Sequence, residues 1–254
     1  MNKITNDSFV NTQQSKVMKV RIVFFIIIVC GFATSCSYYP RSVGIPLIRE
    51  KGDTRVEGGL GLLQASLQAS FSQGVTEKIA YQVVASIDPN GPGDKSGLYI
   101  GYYKNIEERN VLELYGGFAY GRSSARNGSF PGYLNSNYQL YFTQLNYGFI
   151  EKKKANFESG LGLKFGLLHS KVADVNYFVV RQDDQFGEPS PVYRMNGAIV
   201  EPTVFLRFGG ERLKFQTAIG FSKYFQYNHR DKEVPANALC IGIGISYSFR
   251  AFSN

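Results

Sequence analysis

The chain has 254 residues, of which 15% are aromatic, with 27 Gly, 20 Phe, 17 Tyr, no Trp and a formal net charge of +8. Leu, Ile, Val and Phe are too plentiful for a disordered chain, and the basic residues are too scattered for a nucleic-acid footprint. Past the N-terminal segment no apolar run reaches the ~18 residues of a membrane-spanning helix, so rich aromatics and glycine with moderate charge point to a β protein.

Lys16, Lys19 and Arg21 form a basic region, Ile22 to Phe32 is apolar, and the small residues Ala33, Thr34 and Ser35 lead to Cys36. A basic stretch, a short apolar core and small residues are the parts of an export signal. The run resembles a lipoprotein signal peptide over 1–35, in which Cys36 is acylated and becomes the first residue; ordinary signal-peptidase cleavage nearby is the alternative. Met18 followed by Lys-Val-Arg resembles a start site as well as Met1 does. Cys30 would leave with the signal and Cys36 would carry lipid, so Cys240 has no disulfide partner. Residues 36–53, with Pro40 and Pro46 and the charged Arg49-Glu50-Lys51, read as a periplasmic tether to a barrel over 54–254.

From Thr54 onward, turn signals separate ten strand-like segments: 54–62, 64–73, 78–87, 96–104, 110–121, 137–150, 155–169, 193–208, 213–225 and 238–249. The last has Leu239, Ile241, Ile243, Ile245, Tyr247 and Phe249 alternating with Cys240, Gly242, Gly244, Ser246 and Ser248. Side chains alternate between the faces of a strand, so one face is bulky and apolar and the other thin. The fifth, sixth, seventh and ninth segments alternate in the same way. Their thin face carries too much Gly, Ala and Ser for the exterior of a soluble barrel. It suits a narrow polar interior, in which Glu113, Glu158 and Glu201 could pair with Lys164, Arg207 and Lys214. The expected fold is all-β: a closed antiparallel up-and-down transmembrane barrel of about ten strands, eight being possible, because lipid forbids open sheet edges.

Connections after the second, fourth, sixth and eighth segments are short, and those after the third, fifth, seventh and ninth are long. Tight turns on one side and long loops on the other are the pattern of outer-membrane barrels. The first connection, near Leu63, breaks it by being short where a long loop is due. An even strand number returns both termini to the same side.

With these strands the chain resembles the small outer-membrane β-barrel proteins of Gram-negative bacteria, over about 54–249. Gly244, Tyr247 and Phe249 resemble the signal in the last strand by which the barrel-assembly machinery recognises such proteins. The resemblance implies an outer-membrane barrel embedded in lipid, monomeric, anchored on the periplasmic side at Cys36, with external loops in a structural, adhesive or ligand-contacting role and no cofactor.

Three other functions compete. An omptin-like hydrolase would use His and Asp at the outer rim, where His169, His229 with Asp231, and Asp183 with Asp184 occur. The acids are adjacent rather than alternating and the His–Asp order is reversed, so no catalytic residue is assigned. A narrow solute channel and a soluble lipocalin-like binder are the others; a wide pore is excluded because side chains largely fill so small a barrel. No cluster of metal ligands is present. Tyr99, Tyr102, Tyr103, Tyr147 and Tyr247 are expected in interfacial girdles.

Overall fold

A computed structural model describes residues 44–63, 65–87, 95–127, 132–151, 157–174, 192–227 and 238–251. Ten strands follow in chain order: β1 (Asp53–Gly61), β2 (Ser66–Gly74), β3 (Ile79–Ile87), β4 (Lys95–Asn105), β5 (Asn110–Asn127), β6 (Gly132–Glu151), β7 (Phe157–Asp174), β8 (Val192–Gly209), β9 (Leu213–Gln226) and β10 (Ala238–Arg250). Each pairs antiparallel with its neighbours in sequence, and β1 pairs with β10 from Asp53↔Arg250 to Gly61↔Gly242, so the sheet closes. One circuit of the register returns to β1 displaced by about 12 residues, the stagger that tilted strands in a closed barrel require.

The polarity is inverted relative to a soluble barrel. Outward positions carry Val56, Leu60, Leu98, Ile100, Leu114, Leu145, Leu161, Val204, Leu206, Ile219, Ile243 and Ile245, all exposed, while Glu57, Glu113, Asn146 and Arg207 are buried within. Tyr102, Tyr147, Phe208, Phe215 and Tyr247 face outward near the short-turn end.

Several details depart from the sequence reading. Tyr99 and Tyr103 do not belong to a girdle: they are buried in the lumen, because they occupy the same face of β4 as Gly97 and Gly101 while Leu98, Ile100 and Tyr102 take the outer one. Ten strands replace the eight-strand possibility, since β1 and β2 are separate and joined through 62–65, with Ala65 at φ 49°. The long connection expected over 122–136 contracts to 128–131, because β5 and β6 stay paired out to Asn127↔Gly132. As a result β5 to β8 run to 18, 20, 18 and 18 residues against nine in each of β1 to β3, and one side of the wall is far taller.

The tether expectation also changes. Gly44 to Ile48 are buried, and the chain reverses into β1 through Gly52, whose φ of 83° is costly for a residue with a Cβ. The turn is tied to both neighbours of β1: Gly52 N–H donates to Gly74 O at 2.8 Å and Gly52 O accepts from Ala251 N–H at 2.9 Å.

The β1–β10 seam has a direct test. In a Cys240→Ala background, Leu60→Cys with Ile243→Cys, which face each other across it, will form a disulfide on mild oxidation. Val56→Cys with Ile243→Cys, out of register, will not; the gel shift of the oxidised, unreduced protein reads the difference.

Candidate functional site

Alternation puts a set of charges inside the barrel, one or two from each of several strands. Arg207 of β8 is at its centre, with 0% of its surface exposed. Its Nη1 donates to Glu158 Oε2 at 3.2 Å, its Nη2 to Glu57 Oε1 at 2.5 Å and its Nε to Gln216 Oε1 at 2.6 Å. Arg55 of β1 forks onto the same Glu158 carboxylate at 2.6 and 3.2 Å, and Lys214 Nζ lies 3.3 Å from it. The guanidinium of Arg207 also stands 4.4 Å from the Phe205 ring centroid. Each buried ion costs several kcal/mol in lost hydration, which only close pairing and full hydrogen bonding offset. Arg55, Arg207 and Lys214 stand against Glu57, Glu158 and Glu113, so this layer of the lumen carries no formal net charge.

Glu113 makes no salt bridge among the described residues. It accepts from Ile48 N–H at 2.7 Å, Asn146 Nδ2 at 2.9 Å and Tyr115 Oη at 3.4 Å. Lys164 and Glu201 form a second pair at 3.1 Å, with Lys164 Nζ 5.3 Å from the Phe142 ring centroid.

The segment Gly44–Ile48 enters this layer as a strap. Gly44 N–H donates to Glu57 Oε2 at 3.2 Å, Gly44 O accepts from Gln144 Nε2 at 3.0 Å, and Ile45 O accepts from Arg207 Nη2 at 2.5 Å. With Ile48 on Glu113, peptide groups of the strap are held by charged or amide side chains of β1, β5, β6 and β8. Its side chains lie over glycines: a Cβ at Gly148 would collide with the Leu47 methyls, and one at Gly162 would come within 2.8 Å of Ile45 Cδ1. At the short-turn mouth a vestibule of about 490 Å³ remains, lined by both signs of charge, including Asp53, Glu151, Glu211, Arg212, Lys214 and Arg250.

Of the six charges singled out from the sequence, Glu158, Arg207 and Lys214 meet in one cluster, Lys164 and Glu201 form the separate pair, and Glu113 serves neutral donors rather than a cation. Arg55 and Glu57 were missed, although two charges flanking the apolar Val56 mark an inward face. The strap was missed too; its signal is the apolar Ile45-Pro46-Leu47-Ile48 inside an apparent linker.

His169 stands on the outer wall, Nδ1 3.0 Å from Asn196 Oδ1, with no carboxylate bonded to it among the described residues. His229, Asp231, Asp183, Asp184 and Cys36 lie outside the described residues. Within these no group of three or more His, Cys, Asp or Glu could hold a metal ion. Gly244 pairs with Gly59 at the seam, and the Tyr247 and Phe249 rings lie 5.7 Å apart.

No protein-family model and no curated protein matches this sequence. Among solved structures, it is similar to the outer membrane protease OmpT from Escherichia coli, at 12% identity and TM-score 0.48, covering 78% of this chain and 93% of that one. It is also similar to the translocator domain of the autotransporter NalP from Neisseria meningitidis, at 11% identity and TM-score 0.38 over 78% and 86% of the two chains. The NanC porin matches at 9% identity and TM-score 0.32 over 76% and 98%. The barrel itself is established by its strand pairing, a closed ring of ten strands.

Two substitutions probe the layer. Arg207→Met leaves the buried Glu57 without its cation, while Glu158 keeps Arg55 and Lys214, and is expected to cost about 3–5 kcal/mol, read by urea unfolding of the detergent-held protein. Gly148→Leu takes the seat of Leu47, so backbone amide exchange at Ile48 will rise to that of an open loop while the barrel stays closed.

Proposed function

We propose that this chain is an outer-membrane β-barrel lipoprotein whose wall sits in lipid, whose lumen is plugged, and whose long loops carry a structural or adhesive role. One observation carries the reading: the hydrocarbon is outside and the ions are inside. Val204, Phe215 and Ile100 are 58%, 58% and 59% exposed, whereas Arg207 and Glu113 are at 0%. In water this arrangement forfeits the burial that stabilises a soluble barrel, about 25 cal/mol for each Å² of apolar surface left wet. In a bilayer it matches every surface to its surroundings, which speaks against the lipocalin-like binder.

The strap and the interlocked charges favour a closed lumen over a solute channel. A hydrolase gains no support from His169, which faces outward beside an amide. The anchor at Cys36 on the periplasmic side belongs to the same reading, and intact mass of the mature protein tests it through the added acyl chains.

The membrane placement is tested by heat-modifiable migration in SDS gels and by flotation with lipid vesicles. Both are expected for the native chain. Val204→Arg will lower stability in vesicles by about 2–4 kcal/mol, the cost of a cation near the bilayer midplane. A chain that remains in the aqueous phase without detergent overturns the reading. In planar bilayers the native protein will show no steady conductance.

A further inference from the structure

The tall side of the wall, β5 to β8, carries an amphipathic gradient on its outer face. Following the register, Phe118, Tyr141, Leu167, Ala198 and Phe225 form one row of directly paired residues. The next row toward the long loops is Tyr120, Gln139, His169 and Asn196, continued by Tyr227, whose N–H donates to Asn196 O at 2.9 Å. The row beyond is Arg122, Asn137, Lys171 and Arg194. All three cations are exposed and none makes an ion pair with a described residue.

Three features distinguish this row from ordinary surface charge. Lys171 and Arg194 face each other directly across the ladder, where like charges repel unless an anion lies between them. No carboxylate occurs in any of the three rows. At the short-turn rim, by contrast, Lys78 follows Glu77, Arg109 follows Glu108 and Arg212 follows Glu211, so these three cations each adjoin an acid in the chain. A cavity of about 610 Å³ has Tyr120, Asn137, Gln139, His169, Lys171, Arg194 and Asn196 of these rows in its lining, together with the buried Tyr138 and Ser170. Neighbouring strands are ~4.8 Å apart, so Lys171 and Arg194 are adjacent and Arg122 stands two strands from Lys171, within reach of long side chains that converge on one head group.

We propose that this face binds the phosphorylated head group of an anionic membrane lipid. Arg122, Lys171 and Arg194 would meet the phosphate, where arginine's planar fork matches two oxygens at once. The hydroxyls and amides of the middle row would meet the polar head, and acyl chains would lie along Phe118, Tyr141, Leu167 and Phe225. The assignment rests on the membrane placement proposed above, since the apolar row faces acyl chains only if the wall is in a bilayer.

The experiment titrates the full chain, held in dodecyl maltoside micelles, with phosphatidylglycerol and, separately, with phosphatidylcholine, counting bound lipid by native mass spectrometry. The native protein will retain phosphatidylglycerol at least tenfold more tightly than phosphatidylcholine. The variant Arg122→Gln/Lys171→Gln/Arg194→Gln will lose that preference, and Lys78→Gln/Arg109→Gln/Arg212→Gln will keep it. Heat-modifiable migration checks that each variant is closed; if the first is not, Arg194→Gln alone serves, with an expected loss of about threefold. Equal retention by the two triple variants overturns the site while leaving the membrane placement intact. Displacement of the lipid by inorganic phosphate at equal concentration also overturns it, as a general anion site. A native chain that needs no detergent to stay in solution overturns both.

Discussion

Closure of the β1–β10 ladder is the constraint from which the rest follows. A strand with apolar side chains outward and no partner on one edge would present bare N–H and C=O groups to a surrounding that cannot satisfy them. Pairing Asp53 through Gly61 with Arg250 through Gly242 removes that edge. Once the ring is shut, every second residue is committed to a lumen of fixed width. Bulky side chains from other strands fill that space: Tyr99, Tyr115, Tyr138, Phe142 and Phe205 are all buried inside.

The lumen is thereby divided in character along its axis. Toward the short turns it is ionic and interlocked, with the Glu158 carboxylate shared among Arg55, Arg207 and Lys214. Further along it is aromatic and aliphatic, built from Tyr99, Tyr138, Leu140, Phe142, Leu168 and Ile199, with Lys164 and Glu201 set among them. The ionic layer is short of space rather than of charge. Gly148 and Gly162 matter because the strap's Leu47 and Ile45 occupy the volume their side chains would need.

Much of this was legible in the residues. Strict alternation in β10, and in the middle of β5, β6, β7 and β9, states the face of each side chain, and the short-long rhythm of connections states the topology. Strand ends were less readable. Ser123 to Asn127 and Gly132 to Ser136 look like turn residues, and it is their pairing with each other, and that of Leu134 to Ser136 with β7, that extends β5 and β6. Tyr99 and Tyr103 show why composition cannot replace parity: tyrosine is at home at an interface, yet the odd positions of β4 point inward. The strap was hidden for a different reason. Its contacts are to residues 13 to 162 positions away, and no local pattern announces a partner so remote.

The strap's bonds to the wall run through its own main chain, at Gly44, Ile45 and Ile48. Pro46, in the middle, brings no N–H to be satisfied. The barrel therefore recognises a main chain of suitable girth, turned at Leu47 with φ 55°, and the identities of the inserted residues count chiefly through their bulk. The strap is also continuous with the wall only through the turn at Gly52, so it can be withdrawn without breaking any rung between adjacent strands. Withdrawal would leave the ladder paired but take a partner from each of Glu57, Glu113, Gln144 and Arg207.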